Sequence, residues 1–270
     1  MTAATTTVRS EGFSSTLTDI GIVTRRNLVR VVRNPRLILF STVQPIMFLV
    51  LFNYVFGGAL SFGGPIAAAG NYINWLIPGI LVQSATFGSQ GTAIGLTEDL
   101  QAGVIDRFRS LPMSRSAVLA GRTLADIARL AFVLALMLIV GFFMGWSPTT
   151  GAGEIVAAYL VAVGFGYAMS WVMATIGLAV KSAEVAQIVA FLPLFPLVFA
   201  SSVFVPVETM PDWLAAFAEH QPITAITNAI RGLTLGGLET GDLVAALAWI
   251  VGITAVFAPF AIRMYRRASD

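Results

Sequence analysis

The sequence predicts an all-α membrane protein with six transmembrane helices, an N-terminal amphipathic interface helix and a re-entrant outer hairpin between spans five and six. Three observations support this class. Of the 270 residues, 57% are hydrophobic and only 11% are charged, whereas a soluble domain carries about 25% charged residues. Several apolar runs reach about 20 residues, the length of a spanning helix. The basic residues are concentrated in the leader, in alternate connections and after the last run.

Six apolar runs define the predicted spans. They cover approximately residues 37–60, 72–96, 125–146, 155–180, 185–205 and 243–262. In lipid, only helices and closed barrels satisfy the backbone polar groups, and these continuous runs lack the alternation of barrel strands. The predicted organisation is a cytoplasmic leader (residues 1–36), a transmembrane domain (residues 37–262) and a cytoplasmic tail (residues 263–270).

The distribution of charge predicts the orientation. Fifteen of the 16 basic residues lie in or beside the leader, the connections after spans two and four, or the tail. By the positive-inside rule, both termini are cytoplasmic. The exception is Arg231, in an acidic segment of residues 207–242 that is predicted to lie outside. Arginine outnumbers lysine 15 to 1, which favours a high-GC bacterium and therefore a bacterial plasma membrane.

The leader carries an amphipathic pattern. Arg26, Arg30 and Arg33 share one face of a helix, opposite an apolar face. Such a helix before a span is typical of an element in the membrane interface, although an orientation signal with no further role explains the arginines equally well. A cleaved secretory signal is disfavoured, because the leader and the apolar run both exceed its usual lengths.

The cytoplasmic connection of residues 97–124 mixes acidic, basic and apolar residues densely. A connector between two helices needs far fewer residues. We therefore favour a contact surface for a cytoplasmic partner over a solvated connector.

The sequence contains no set of catalytic residues, and we predict that the chain is not an enzyme. The glycines of a P-loop are absent around the single lysine, Lys181. There is no cysteine and only one histidine, His220, so no metal site is predicted. Arg122, Asp126 and Arg129 begin span three at helical separations, which predicts mutual neutralisation. The scarcity of charge within the spans disfavours an ion-coupled carrier.

Five polar residues in spans one and two have two interpretations. They are Gln44, Asn53, Gln83, Thr86 and Gln90. Such residues either line a substrate path or hold helices together by hydrogen bonds. Prolines interrupt spans one, two and five, which favours a bundle that opens.

The outer segment contains two apolar pieces, one starting at Pro211 and one covering residues 223–235. Each piece is too short to cross a bilayer. We expect two short helices that enter the outer leaflet and return.

Several stretches resemble the membrane subunits of type-2 ABC exporters, within the daunorubicin-resistance permease group. They are LIPGI at residues 76–80, the loop of residues 98–115, GRTLAD at 121–126, SVFVPVETMPDWL at 202–214, QPIT at 221–224 and RGL at 231–233. The resemblance spans most of the chain, and residues 202–214 are its most specific part.

The resemblance implies a dimer of permease subunits, either homodimer or heterodimer, with two copies of a cytoplasmic P-loop ATP-binding subunit. ATP and Mg would bind to that partner, with no cofactor on this chain and no nucleic acid. It implies that the leader helix and the loop after span two receive the movement of the ATPase. The implied coupling residues are Glu98, Asp99, Gly103, Asp106, Arg107, Arg109 and Pro112, with Lys181 and Glu184 as a lesser contact. Pro206, Pro211, Trp213 and Arg231 would belong to a re-entrant outer gate.

The leading hypothesis is the permease half of an ATP-driven exporter of a hydrophobic, drug-like or lipid-like compound, working by alternating access. Export of a polysaccharide or lipid-linked glycan is a second hypothesis, and a secondary transporter driven by an ion gradient is a third. The identity of the substrate stays open at this stage.

Overall fold

The computed structural model describes residues 35–60, 64–103 and 115–268, and within these ranges the chain is helical without any strand. The α-helices are α1 (Pro35–Leu60), α2 (Gly64–Ala68), α3 (Tyr72–Gly88), α4 (Gln90–Gln101), α5 (Arg115–Phe143), α6 (Ala152–Ala179), α7 (Ala183–Phe199), α8 (Asp212–Glu219), α9 (Pro222–Leu235) and α10 (Thr240–Ala268). A 3-10 turn covers Val207–Thr209. The predicted all-α class is confirmed. The proposed leader helix with Arg26, Arg30 and Arg33 lies outside the described residues, as do Asp106, Arg107, Arg109 and Pro112.

Three described helices are long and apolar enough to cross a membrane. They are Thr123–Phe143 in α5, Ala152–Ala179 in α6 and Thr240–Arg267 in α10. These match predicted spans three, four and six. Predicted spans one and five correspond to shorter apolar stretches, Thr42–Gly58 in α1 and Ala183–Phe199 in α7.

The predicted span over residues 72–96 consists of two helices in the structure, because α3 ends at Gly88 and α4 begins at Gln90. Two side chains bind backbone carbonyls at this break. The Ser89 hydroxyl donates to the Thr86 carbonyl at 2.6 Å, and the Arg129 guanidinium donates to the Gly88 carbonyl at 2.9 Å. A side chain inserted into the hydrogen-bond ladder is a known cause of helix breaks.

The fifth predicted span extends six residues too far at its end, since α7 ends at Phe199 and not at residue 205. Pro193 and Pro196 lie inside α7, and each proline removes a backbone donor from the ladder. The following residues, Ser201 to Phe204, are buried without forming a helix. The two short helices predicted for the outer segment are present as α8 and α9.

Helix α6 occupies the centre of the bundle. It packs against α3, α4, α5, α7, α9 and α10. At its start, the Thr150 hydroxyl donates to the Leu233 carbonyl of α9 at 2.7 Å. At its other end, the Gly177 carbonyl accepts from the Thr97 hydroxyl of α4 at 2.9 Å. Helix α10, in contrast, is peripheral, with only 6% of its apolar window buried.

Two glycines permit direct contact between backbones. A Cβ on Gly79 of α3 would overlap the Val203 carbonyl, and a Cβ on Gly177 would lie 2.5 Å from the Ala93 carbonyl oxygen of α4. A side chain at either position would push two packed segments apart. The close approach of α3 to the connection after α7, and of α4 to α6, therefore depends on these glycines.

Replacing Gly79 with alanine is expected to destabilise the protein, because the contacting atom is backbone and cannot rotate away. Overpacking of this kind costs about 1–3 kcal/mol. The measurement is the fraction that stays monodisperse after heating in detergent. Gly252→Ala is the matched control, because a Cβ there meets nothing within 4 Å. Equal thermal stability of the two variants would contradict the packing described for Gly79.

Candidate functional site

A cavity of about 330 Å³ lies among α1, α3, α4, α5 and α7. Its volume falls at the lower end of the range for small-molecule sites. The lining comes from five helices: Gln44, Pro45 and Phe48 of α1; Gln83, Ser84, Phe87 and Gly88 of α3; Gln90, Gly91 and Ile94 of α4; Arg129, Leu130 and Val133 of α5; Gln187 and Phe191 of α7. Gln44 and Gln187 are exposed, and they mark the side between α1 and α7 on which the cavity opens.

Several polar atoms in this lining have no hydrogen-bond partner. Gln83 is 2% exposed, and both its amide oxygen and its amide nitrogen are unpaired. The Ser84 hydroxyl and the Gln90 amide nitrogen are also buried and unpaired. Leaving a buried polar group unsatisfied costs about 1–3 kcal/mol. These unpaired atoms are buried within residues that line the cavity, each with less than 1 Å² of accessible surface.

The rest of the lining is apolar and aromatic, apart from one cation. Phe87 and Phe191 stack with ring centroids 5.9 Å apart, and Phe48 lies on the facing helix α1. Arg129 is half-buried, and its guanidinium reaches the α3–α4 break. The cavity thus combines aromatic surface with a small number of hydrogen-bonding groups, as ligand sites in proteins commonly do.

A second candidate region lies at the end of α4. The Gln101 side-chain amide donates to the Lys181 carbonyl at 2.8 Å, which joins α4 to the α6–α7 connection. Gly103 has a φ of +61°, a conformation that favours glycine. This contact brings the predicted coupling loop and the lesser cytoplasmic contact side by side.

A buried arginine holds the connection between α7 and the 3-10 turn. Arg231 of α9 is 6% exposed, and it donates to the carbonyls of Ser202 at 2.6 Å, Val203 at 3.1 Å and Trp75 at 3.2 Å. Its guanidinium carbon lies 3.6 Å from the centroid of the Trp75 ring, a cation–π contact. The nearby Tyr72 hydroxyl donates to the Phe204 carbonyl at 3.1 Å.

Burial lowers the pKa of the Arg231 guanidinium to about 9, although Tyr72 and Glu208 act in the opposite direction. The side chain therefore stays protonated at neutral pH. A protonated guanidinium keeps all five N–H donors, which the surrounding carbonyls require.

The sequence matches the ABC-2 type transporter family over residues 18–235. The chain belongs to this family. It is 33% identical to the daunorubicin resistance ABC transporter permease protein DrrB1 of Streptomyces coeruleorubidus, over 96% of this chain and 88% of that protein. It is also 25% identical to the doxorubicin resistance ABC transporter permease protein DrrB of Mycobacterium tuberculosis, over 82% of this chain and 77% of that protein. The resemblance found in the sequence is confirmed.

Within this ABC-2 permease, the cavity gathers three of the five residues predicted for a substrate path. Gln44, Gln83 and Gln90 line it, whereas Asn53 does not belong to the lining. Thr86 donates to the Val82 carbonyl of its own helix at 2.7 Å, which is a structural role. Whether these residues line a substrate path or hold helices together therefore stays a prediction, with Gln44, Gln83 and Gln90 placed at one cavity.

Arg129, Ser84 and Gln187 also line the cavity but were not predicted to do so. The expected neutralisation among Arg122, Asp126 and Arg129 stays a prediction, because the Arg122 side chain lies outside the described part of the structure. Asp126 accepts from the Thr92 hydroxyl of α4 at 2.8 Å, and Arg129 binds the Gly88 carbonyl. Gln187 could have been noticed, because it is a lone amide in an apolar helix. Nothing in the sequence distinguishes Arg129 from the other arginines in or beside the predicted cytoplasmic segments.

The other predicted site residues are divided between surface and interior. In the coupling set, Glu98, Lys181 and Glu184 are exposed, and Asp99 is half-buried. In the outer gate set, Pro211 and Trp213 are exposed, Pro206 is buried, and Arg231 is a buried structural residue.

Arg231→Met is expected to destabilise the permease by about 3 kcal/mol, because it leaves buried carbonyls of the connection without donors. Arg231→Lys should be intermediate, since lysine keeps the charge but lacks the planar fork. Thermal unfolding in detergent measures both. The matched control is Arg263→Met, at an exposed position on α10. If Arg231→Met unfolds at the same temperature as Arg263→Met, the hydrogen bonds described for Arg231 do not stabilise the protein.

Proposed function

We propose that this chain is the permease subunit of an ATP-driven exporter that moves a hydrophobic, drug-like or lipid-like compound out of the cytoplasm or inner leaflet. The observation that carries the proposal is the cavity, where unpaired amides and aromatic rings meet at a break between two helices. Membership of the ABC-2 family supports the link to ATP. Two relatives are named for resistance to daunorubicin or doxorubicin, which supports a drug-like cargo.

The proposed complex contains two permease subunits and two cytoplasmic P-loop subunits that bind ATP and Mg. Each permease crosses the bacterial plasma membrane six times with both termini in the cytoplasm. The segment of residues 207–242, with α8 and α9, forms a re-entrant hairpin on the outer side. The exposed cytoplasmic residues Glu98, Lys181 and Glu184 belong to the surface that meets the ATPase.

Helix α4 connects the two candidate regions. Its first residues, Gln90 and Gly91, line the cavity, and its last residue, Gln101, contacts the α6–α7 connection. At 1.5 Å per residue, these ends lie about 17 Å apart. A displacement of the coupling loop by the ATPase would therefore move α4 about the break at Ser89 and reshape the cavity.

This arrangement supplies a mechanism of alternating access. The compound binds against the unpaired amides while the cavity is open toward the cytoplasmic side. Binding of ATP to the partner moves α4, which changes the distance of Gln90 from Gln83 and weakens the site. Release then occurs outward, between the permease subunits and past the outer hairpin.

The ATPase contact is tested by purification of the tagged permease in mild detergent. Glu98→Lys combined with Glu184→Lys is expected to abolish co-purification of a P-loop ATPase, because it reverses two exposed charges of the contact surface. Glu154→Lys is the matched control, since Glu154 is exposed at the opposite end of α6. If the double variant still retains the ATPase, this surface does not form the contact with the ATPase.

The energy source is tested in inverted membrane vesicles that contain the permease and its ATPase. Uptake of a hydrophobic fluorescent compound is expected to require ATP and to persist when a protonophore collapses the ion gradient. Gln83→Leu should lower this uptake roughly threefold to tenfold, the value of one hydrogen bond. Thr86→Val is the control, because Thr86 bonds only within its own helix. Uptake driven by the gradient alone would favour a secondary transporter, and uptake of a glycan alone would favour the glycan exporter.

A further inference from the structure

Helix α5 binds both sides of the break at Ser89. On the α3 side, the Arg129 guanidinium donates to the Gly88 carbonyl at 2.9 Å. On the α4 side, the Asp126 carboxylate accepts from the Thr92 hydroxyl at 2.8 Å. Asp126 and Arg129 are three residues apart and therefore lie on one face of α5. One turn of α5 thus holds the last residue of α3 and the first turn of α4.

The break leaves the Gly88 carbonyl in need of a donor. In a continuous helix, this carbonyl would accept from the amide of Thr92, four residues later. The Thr92 amide donates to the Ser89 carbonyl at 3.0 Å, in the tighter pattern of three residues. A backbone carbonyl without a donor is costly inside an apolar bundle. By supplying the donor, Arg129 stabilises the broken form of the helix.

Gly91 provides the space for this hydrogen bond. A Cβ on Gly91 would lie 2.8 Å from Nη2 of Arg129, the same nitrogen that donates to Gly88. An alanine at this position would therefore push the guanidinium away from the break. The clashing atom is the far end of a flexible side chain, so the backbone of α4 can keep its place. Gly91→Ala thus removes one bond to α5 without changing any charge.

The two charged groups on α5 bind neutral partners on other helices. Asp126 and Arg129 are both half-buried, so water competes with these bonds less than it does at a fully exposed surface. Hydrogen bonds that involve one charged partner are roughly twice as strong as neutral ones. Farther along α4, the Thr97 hydroxyl donates to the Gly177 carbonyl of α6. Helix α4 is therefore held by α5 at its start and by α6 beyond it.

We propose that Asp126 and Arg129 form a two-point clamp, which fixes the angle between α3 and α4. Both are positioning residues, since they act through the helices that they hold and need no contact with the transported compound. The role of the clamp in transport rests on the proposed function, in which α4 moves about Ser89. In that role the clamp makes α5 follow the start of α4. The clamp itself is a property of this chain alone.

The angle is measured by the distance between two spin labels on the purified full-length permease. The chain contains no cysteine, so Ala68→Cys and Ala102→Cys introduce the two labelling sites. These positions are exposed and lie close to the two ends of the broken helix. A rotation of roughly 10° at the break would move the far end of the 12-residue α4 by about 3 Å. Double electron–electron resonance resolves a change of that size.

Loss of either point of the clamp is expected to broaden the distance distribution. Arg129→Met and Gly91→Ala should both do so, because each removes the bond to Gly88. Arg129→Lys should stay close to the wild type, since an ammonium group can still donate. Asp126→Ala should broaden the distribution as well. Asp126→Asn should not, because its amide oxygen can still accept from the Thr92 hydroxyl.

Two control variants match these changes. Gly252→Ala is the control for Gly91→Ala, because a Cβ there meets nothing within 4 Å. Arg263→Met is the control for Arg129→Met, because it removes an arginine at an exposed position on α10. Excess unlabelled permease removes distances between subunits. Thermal unfolding in detergent identifies a variant that has lost its fold, and Gly91→Ala then decides the test in place of Arg129→Met.

Unchanged distance distributions in Gly91→Ala and Asp126→Ala would overturn the clamp. In vesicles that contain the ATPase, Gly91→Ala is expected to lower uptake per ATP hydrolysed roughly threefold to tenfold, the value of one hydrogen bond. A fall of uptake and hydrolysis in the same proportion would overturn the role of the clamp in coupling. The distance measurement needs neither ATP nor a partner subunit. Its failure is therefore distinguishable from an absence of ATP-dependent uptake, which would contradict the proposed function.

Discussion

Non-helical backbone inside an apolar bundle needs hydrogen-bond donors, and Arg231 supplies them for the connection after α7. Its guanidinium binds the carbonyls of Ser202 and Val203, and its flat face rests on Trp75. Unsatisfied backbone carbonyls are costly in such surroundings. By joining α9, α3 and the connection, this one residue fixes the first turn of α3. From this contact α3 extends to the break at Ser89, beside the cavity.

A second arginine serves a second interruption in a different way. Arg129 donates a hydrogen bond to the Gly88 carbonyl at the α3–α4 break. Arg231 likewise donates to carbonyls of the connection after α7. Arg231, however, is almost fully buried and donates hydrogen bonds to four protein oxygens. Its guanidinium also packs on the Trp75 ring. Arg129 is half-buried and has donors left over beside a cavity. Arginine therefore donates to backbone carbonyls at both interruptions, and it is buried at one and beside a cavity at the other.

The sequence predicted the helices better than it predicted their contacts. Apolar runs and prolines located the described spans and both outer helices, because length and composition decide which segments can be helical in lipid. Glutamines in apolar helices indicated part of the cavity. The break at Ser89 was not located, since one of the side chains bonded there is the Arg129 guanidinium, some 40 residues later in the chain. The sequence placed Arg231 in an outer acidic segment but did not predict its burial, because the partners that bury it are backbone carbonyls, which leave no pattern in side chains.

Helix α6 gives the protein a short route between its two faces. It contains 28 residues and is therefore about 42 Å long. Its first turn follows Thr150, which is bonded to α9, and its last turn touches the α4 backbone at Ala93 and Gly177. In the proposed orientation, one rigid rod thus links the inner coupling region with the outer hairpin. A tilt of that rod would carry information about nucleotide state to the outer leaflet without any sequential rearrangement of loops.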